Sequence, residues 1–323
     1  MRCFAASSQG RVALATLDDR ILFFGPNVDS DPIAEIPAPF SPIRLLFTDK
    51  GATLLVVAEY GQLATVGMDG GVQPLQWPRG MTKPTYIVAA SDAPVIAVLC
   101  PNNMIEVLAL KKEILSSTCT IRAKTPVLWI ALDPSGKRAY ALTEQLGLKV
   151  VSWQVDTPRE DPTNVAVIQS GMPPVPIAFI ERELVAIGDG LDLLLFSISR
   201  PETATRRIGH DEPLKVIVSG AGLIASVAGC FQNTNFDQLR LWTTEGQPLG
   251  PVTLPEIVID IAFCPDRSAL LALGVSGTLW RITLRIQDWI ETARRIAGRG
   301  LTKEEQHQYG IDAWRAQAGL VKS

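Results

Sequence analysis

Histidine, cysteine and paired carboxylates are the side chains from which a chain assembles a nucleophile, a general base or a metal centre. Here they are sparse. The 323 residues hold 2 histidines, His210 and His307, and 5 cysteines, Cys3, Cys100, Cys119, Cys230 and Cys264. Two histidines exclude a histidine-rich metal centre. The cysteines are odd in number, contain no C-x-x-C pair, and sit among Val, Leu, Ile and Phe, which reads as reduced, buried thiols of a cytosolic protein. No G-x-S-x-G elbow, H-E-x-x-H, phosphate-binding G-x-x-x-x-G-K-S/T or G-x-G-x-x-G occurs. The carboxylate pair Asp18-Asp19 falls where a hairpin turn joins Val12–Leu17 to Arg20–Phe24, so turn chemistry accounts for it. His307, in a Lys-Glu-Glu-Gln-His-Gln run, reads as a solvated helix face. The expectation is a non-catalytic chain with no cofactor and no metal.

Charge narrows the partners further. Lys and Arg number 30 against 33 Asp and Glu, a net charge of −3, so no global field draws the chain to a phosphate backbone. The pairs Arg206-Arg207 and Arg294-Arg295 are too short to change that, and nucleic acid is disfavoured as a direct ligand. Hydrophobic residues make up 47% and charged residues 20%, enough for a large core and incompatible with general disorder. The opening MRCFAASSQGRVALATL lacks the apolar run and small-residue site of a secretory signal. No stretch approaches the ~18 apolar residues of a membrane helix. A cytoplasmic location is expected.

The elements that must position any binding residues are short strands. Val-, Ile- and Leu-rich runs separated by Gly, Pro, Asp and Asn recur from residue 2 to about 285, with no long amphipathic helix among them. They restart near Arg2, Ile43, Thr85, Val127, Pro176, Lys215 and Val258, at gaps of 41, 42, 42, 49, 39 and 43 residues. A four-stranded propeller blade needs about 40–45 residues. Internal order repeats as well: residues 126–156 and 256–285 both run strand, Pro-containing turn, strand, turn, and a third strand holding Trp153 or Trp280. The expected fold is all-β, a seven-bladed propeller over residues 1–285, with a short α-helical extension over 286–323.

One blade carries a sharper mark. Gly209-His210 precedes strands at Lys215–Ser219 and Leu223–Ala228, followed by Leu239-Arg240-Leu241-Trp242-Thr243. This resembles a WD repeat, in which Gly-His precedes the innermost strand and Trp-Asp ends the third. The resemblance makes His210 and Trp242 structural residues of a Trp–Ser–His–Asp hydrogen-bond relay, with Thr243 in place of the Asp and the relay thereby incomplete. Residues 285–305, RIQDWIETARRIAGRGLTKEE, resemble the segment that closes many bacterial WD-repeat propellers of NACHT-like signalling NTPases, some of them defence proteins. That pattern carries a Trp after the last Glu, where this chain has Gln306. The resemblance implies a free-standing sensor or adaptor, possessing no NTPase motif of its own and working in a bacterial signalling or antiviral complex with a separate NTPase or effector chain.

Both resemblances bear on binding. In WD-repeat propellers one innermost-strand position per blade opens onto the partner face. Aligning the blades on their turns puts Arg44, Tyr86, Trp129, Pro176, Lys215 and Asp260 there. Aromatic residues and Arg dominate interface energetics, so these are expected to bind a protein partner; the other reading is that Tyr86 and Trp129 plug the channel. In the tail, Ile286, Trp289, Ile290, Ala293, Ile296 and Ala297 form one helical stripe, with Arg294, Arg295 and Arg299 toward its C-terminal end. Thr302-Lys303-Glu304-Glu305 then opens a second short helix. This hairpin either seals the last blade or, through Trp289, Arg294 and Arg295, docks a partner. The chain is read as an interaction scaffold; the alternative is a metal-dependent propeller hydrolase or lactonase.

Overall fold

The computed structural model describes residues 2–7, 9–25, 31–81, 84–111, 114–144, 148–157, 162–168, 177–180, 184–197, 200–220, 222–229, 238–264, 268–284 and 302–308. Its strands group in chain order into antiparallel sheets. The first holds β1 (Cys3–Ala6), β2 (Val12–Ala15), β3 (Arg20–Phe24) and β4 (Ala34–Pro37). The second holds β5 (Pro42–Thr48), β6 (Thr53–Ala58), β7 (Leu63–Val66) and β8 (Val72–Leu75). The third holds β9 (Tyr86–Ala89), β10 (Val95–Cys100), β11 (Met104–Lys111) and β12 (Ile114–Arg122). The fourth holds β13 (Val127–Leu132), β14 (Arg138–Glu144), β15 (Leu148–Gln154) and β16 (Thr163–Ile168). The fifth holds β17 (Ile177–Phe179), β18 (Leu184–Asp189), β19 (Asp192–Ser197) and β20 (Arg200–Ile208). The sixth holds β21 (Leu214–Gly220), β22 (Leu223–Ala228), β23 (Gln238–Thr243) and β24 (Pro248–Thr253). The seventh holds β25 (Val258–Phe263), β26 (Ala269–Gly274) and β27 (Leu279–Thr283), three strands among the described residues.

Seven up-and-down sheets in sequence order are the blades of a seven-bladed propeller. Each first strand begins within one residue of the start that the period predicts. A short helix α1 (Lys303–Gln308) follows Thr302, whose carbonyl accepts the Gln306 N–H at 2.9 Å. By backbone proximity the chain forms two compact units, Met1–Val175 with Ser197–Thr203, and Pro176–Phe196 with Ala204–Ser323. Within the first unit β1 lies beside β5, β5 beside β9, and β9 beside β13. Within the second, β17 lies beside β21 and β21 beside β25.

Burial explains the run composition. The second strands are apolar on both faces: β2, β22 and β26 are buried along their whole length. Such strands read as continuous Val, Leu and Ala because both faces are covered. Fourth strands alternate, as β12 does with Leu115, Cys119 and Ile121 in and Ser116, Thr118 and Thr120 out. Several of these edge strands carry proline (Pro37, Pro74, Pro248 and Pro251), which cannot donate to a ladder and so blunts further pairing.

Turns lock neighbouring sheets of the first unit together. Asp49, Lys50 and Gly51 all have positive φ, at 52°, 54° and 81°. This left-handed run turns its N–H groups outward: Asp49 N donates to Ala93 O at 3.2 Å and Lys50 N to Ser91 O at 2.6 Å. Asp92 N in turn donates to Pro134 O of the fourth sheet at 2.9 Å. Gly136, at φ 70°, sits so close that a Cβ there would lie 2.9 Å from Val95 Cβ. Strain at these turns is offset by the hydrogen bonds it makes possible between sheets.

Candidate partner-binding site

The opposite ends of the first strands carry a shared irregularity. In β5, Pro42 pairs with Ala58 and Arg44 with Val57, leaving Ile43 as an extra, bulged residue. In β13, Val127 pairs with Thr143 and Trp129 with Leu142, leaving Leu128. In β21 the extra residue is Lys215, and in β25 it is Ile259. A bulge bends the strand and re-aims the side chains beside it. Ile43, Leu128 and Ile259 are accordingly 55%, 39% and 45% exposed, although each is apolar. Tyr86 of β9, opposite Leu99 of β10, stands in the register place that Arg44 and Trp129 hold in their own sheets.

Sequence alignment therefore placed Arg44, Tyr86, Trp129 and Asp260 on equivalent positions, but not Lys215. That residue is the bulge itself, and Val216, opposite Val227, holds the equivalent place. The connection from Gly220 to Leu223 is shorter than the one from Thr48 to Thr53, so counting from the turn lands on the wrong residue. Lys215 and Asp260 belong to the second unit; the Asp260 carboxylate accepts the N–H of Ile261 at 2.9 Å. Pro176 lies outside the described residues, as do Trp289, Arg294 and Arg295.

Three of the expected residues meet in the first unit. Arg44 Nη2 donates to the Tyr86 hydroxyl at 3.2 Å, and Trp129 Nε1 donates to the same oxygen at 3.1 Å. The Arg44 guanidinium carbon lies 4.6 Å from the centre of the Tyr86 ring, a cation–π contact. The Tyr86 and Trp129 rings are 6.4 Å apart and tilted by 46°. All three side chains are half-buried. With two donors already on the phenol oxygen, its own O–H is left to donate outward, as are the remaining guanidinium N–H groups. No carboxylate among the described residues pairs with Arg44. The cluster is rigid, aromatic, cationic and rich in unused donors.

A second cluster lies in the sixth sheet. Trp242 Nε1 donates to Ser226 Oγ at 2.7 Å, and Ser226 Oγ is 2.8 Å from His210 Nε2. Trp242 is 1% exposed and Ser226 is fully buried. Gly209 must be glycine, because a Cβ would come within 2.4 Å of the Trp242 ring. His210 Nδ1 has no hydrogen-bond partner among the described residues. Burial, then the nearby positive Arg240, holds its pKa down to about 4, with Asp211 pulling weakly the other way. A neutral imidazole locked between strands is a structural strut. Thr243, standing where the WD pattern has Asp, accepts the N–H groups of Glu245 and Gln247 at 3.2 Å and shapes the next turn. Ser226 escaped sequence reasoning, although a lone hydroxyl in LIASVA was a signal.

A cavity of about 510 Å³ in the first unit is lined by residues including Asp49, Thr65, Asp69, Gln73 and Pro94; none of Arg44, Tyr86 and Trp129 borders it. No group of three or more His, Cys, Asp or Glu residues able to hold a metal ion occurs among the described residues.

Comparison with known structures agrees with the blade order. The chain is similar to the WD40 repeats of RRP9, at 14% identity and a TM-score of 0.65, over 88% of this chain and 94% of that one. It is likewise similar to U3-55K, at 14% identity and a TM-score of 0.63, over 87% of this chain and 91% of that one. No protein-family model matches the sequence, nor does any curated protein. The fold is thus an all-β, seven-bladed WD40-like propeller.

Proposed function

We propose that the chain is a non-catalytic interaction subunit that holds a protein partner on the bulged starts of β5 and β13 and the start of β9 between them. The observation that carries this reading is the Arg44–Tyr86–Trp129 cluster: three adjacent sheets each contribute one side chain to a single hydrogen-bonded group. Aromatic residues and arginine are the types that concentrate binding energy at protein interfaces. Pre-organising them on strands reduces the ordering cost that association otherwise carries. Residues 285–305, by their likeness to the tails of bacterial signalling propellers, support a cytoplasmic signalling or defence complex as the setting, with the enzymatic function on another chain.

The test is comparative capture from the native host. Tagged full-length protein and its Arg44→Ala/Trp129→Ala variant are isolated and their co-purifying chains quantified. A stoichiometric partner present with the wild type and lost with the variant, at unchanged thermal midpoint, supports the reading. A partner retained by the variant places binding elsewhere.

A further inference from the structure

Resting on that reading, we infer the chemistry of the occupant: an extended segment of a partner protein whose internal Asp or Glu carboxylate lands on Arg44 and Tyr86, with apolar side chains on either side of it.

Hydrogen-bond accounting fixes the charge. The phenol oxygen of Tyr86 accepts from both Arg44 and Trp129, so what remains at the cluster is one outward O–H and the spare N–H groups of Arg44. Every free valence is a donor. A carboxylate presents acceptors only, and a guanidinium N–H with a phenol O–H beside it offers it two charge-assisted hydrogen bonds. The guanidinium is half-buried and pairs with no carboxylate among the described residues. A cation withdrawn partly from water, with no carboxylate partner among the described residues, is matched by an anion brought from outside. Resting against the Tyr86 ring at 4.6 Å, it is also held in one orientation before any ligand arrives.

The flanks fix the rest. Ile43 adjoins Arg44 on the second sheet and Leu128 adjoins Trp129 on the fourth, each pushed outward by its bulge. Both are large, apolar and exposed, at 55% and 39%. The donor group at Tyr86 on the third sheet thus has an apolar residue toward either side. A terminal carboxylate would leave one of these uncovered, whereas an internal acidic residue lets the segment run over both. The same site repels a segment whose central residue is Lys or Arg.

The experiment uses the full chain with 15N-labelled tryptophan and three synthetic capped peptides, Gly-Leu-Ser-Glu-Ser-Leu-Gly and its central Gln and Lys counterparts. The Trp129 indole N–H signal is followed, assigned by its loss in Trp129→Phe. The inference expects the Glu peptide to move that signal and to bind about tenfold more tightly than the Gln peptide, with the Lys peptide weaker still. A free C-terminal form ending at Glu should bind less tightly than the internal form. Arg44→Gln should erase the Glu-over-Gln preference while the folded spectrum is retained, and Tyr86→Phe should reduce it. Equal binding of the Glu and Gln peptides overturns the carboxylate assignment, and so does the absence of any shift at millimolar peptide. Tighter binding of the terminal form overturns the internal placement. None of these results bears on whether a host partner is lost with Arg44→Ala/Trp129→Ala, so failure here leaves the interaction surface itself to be judged separately.

Discussion

Two hydrogen-bonded groups in this protein share a plan and differ in surroundings. In the sixth sheet an indole N–H meets a serine hydroxyl that also bonds an imidazole; across sheets two to four an indole N–H meets a phenol that also bonds a guanidinium. The first is buried, spans neighbouring strands of one sheet and its approach, and keeps its histidine neutral. The second is half-buried, spans three sheets and keeps a full positive charge. A hydroxyl bridging an indole and a nitrogen base is a strut when water is excluded and a recognition surface when one side stays wet. Burial separates the two roles more than residue type does.

The comparison is broken most sharply in the buried group. Trp242→Ala removes a side chain that is 1% exposed and takes from the Ser226 hydroxyl one of its two partners, so denaturant unfolding should show a loss of about 3–5 kcal/mol. Trp129→Ala, in contrast, should change stability far less while abolishing partner capture. If both tryptophans cost the same stability, the distinction between strut and surface collapses.

Acid sharpens it next. His210 titrates near 4 in the folded chain against 6.5 for an unperturbed histidine. Between those values the unfolded chain binds a proton that the folded chain refuses. Stability should therefore be fully present above about pH 6.5, decline as pH falls toward 4, and lose up to about 3 kcal/mol through this residue. Denaturation series at pH 7 and pH 4.5, compared with His210→Gln, check this: the variant should show a shallower decline over that window.

Smaller effects are expected at the turn ends. Gly51→Ala forces a Cβ to within 2.5 Å of Ser7 Cβ at a φ of 81°, and should lower stability by about 1–3 kcal/mol without touching partner capture. Smallest of all, Ile43→Ser should leave the unfolding midpoint within about 0.5 kcal/mol of wild type, because the bulge already exposes that side chain. Its effect belongs to binding alone, read as a faster dissociation rate.

Much of this architecture was legible in the chain. Asp133-Pro134-Ser135-Gly136 and similar turns punctuate apolar runs at a period near 42, and the strands begin where that period places them. Arg44, Tyr86 and Trp129 stand out for the same reason, as polar or aromatic interruptions one period apart. What spacing could not supply is the length of each connecting turn; the Gly220–Leu223 connection is shorter than that from Thr48 to Thr53, and Lys215, the bulged residue of β21, was misplaced on that account. Nor could it supply the meeting of three side chains on one phenol oxygen, which depends on the lateral packing of β5, β9 and β13. Ser226 was hidden differently, its partners lying 16 residues away on either side.

The most direct measurement is site-specific photo-crosslinking in the native host, with a photoreactive residue placed at position 43 beside the cluster or at position 114 on the exposed edge of β12. The account predicts a single partner band from position 43, absent from position 114 and lost when Arg44→Ala is added. A partner band of equal strength from position 114, or one from position 43 that survives Arg44→Ala, would contradict it.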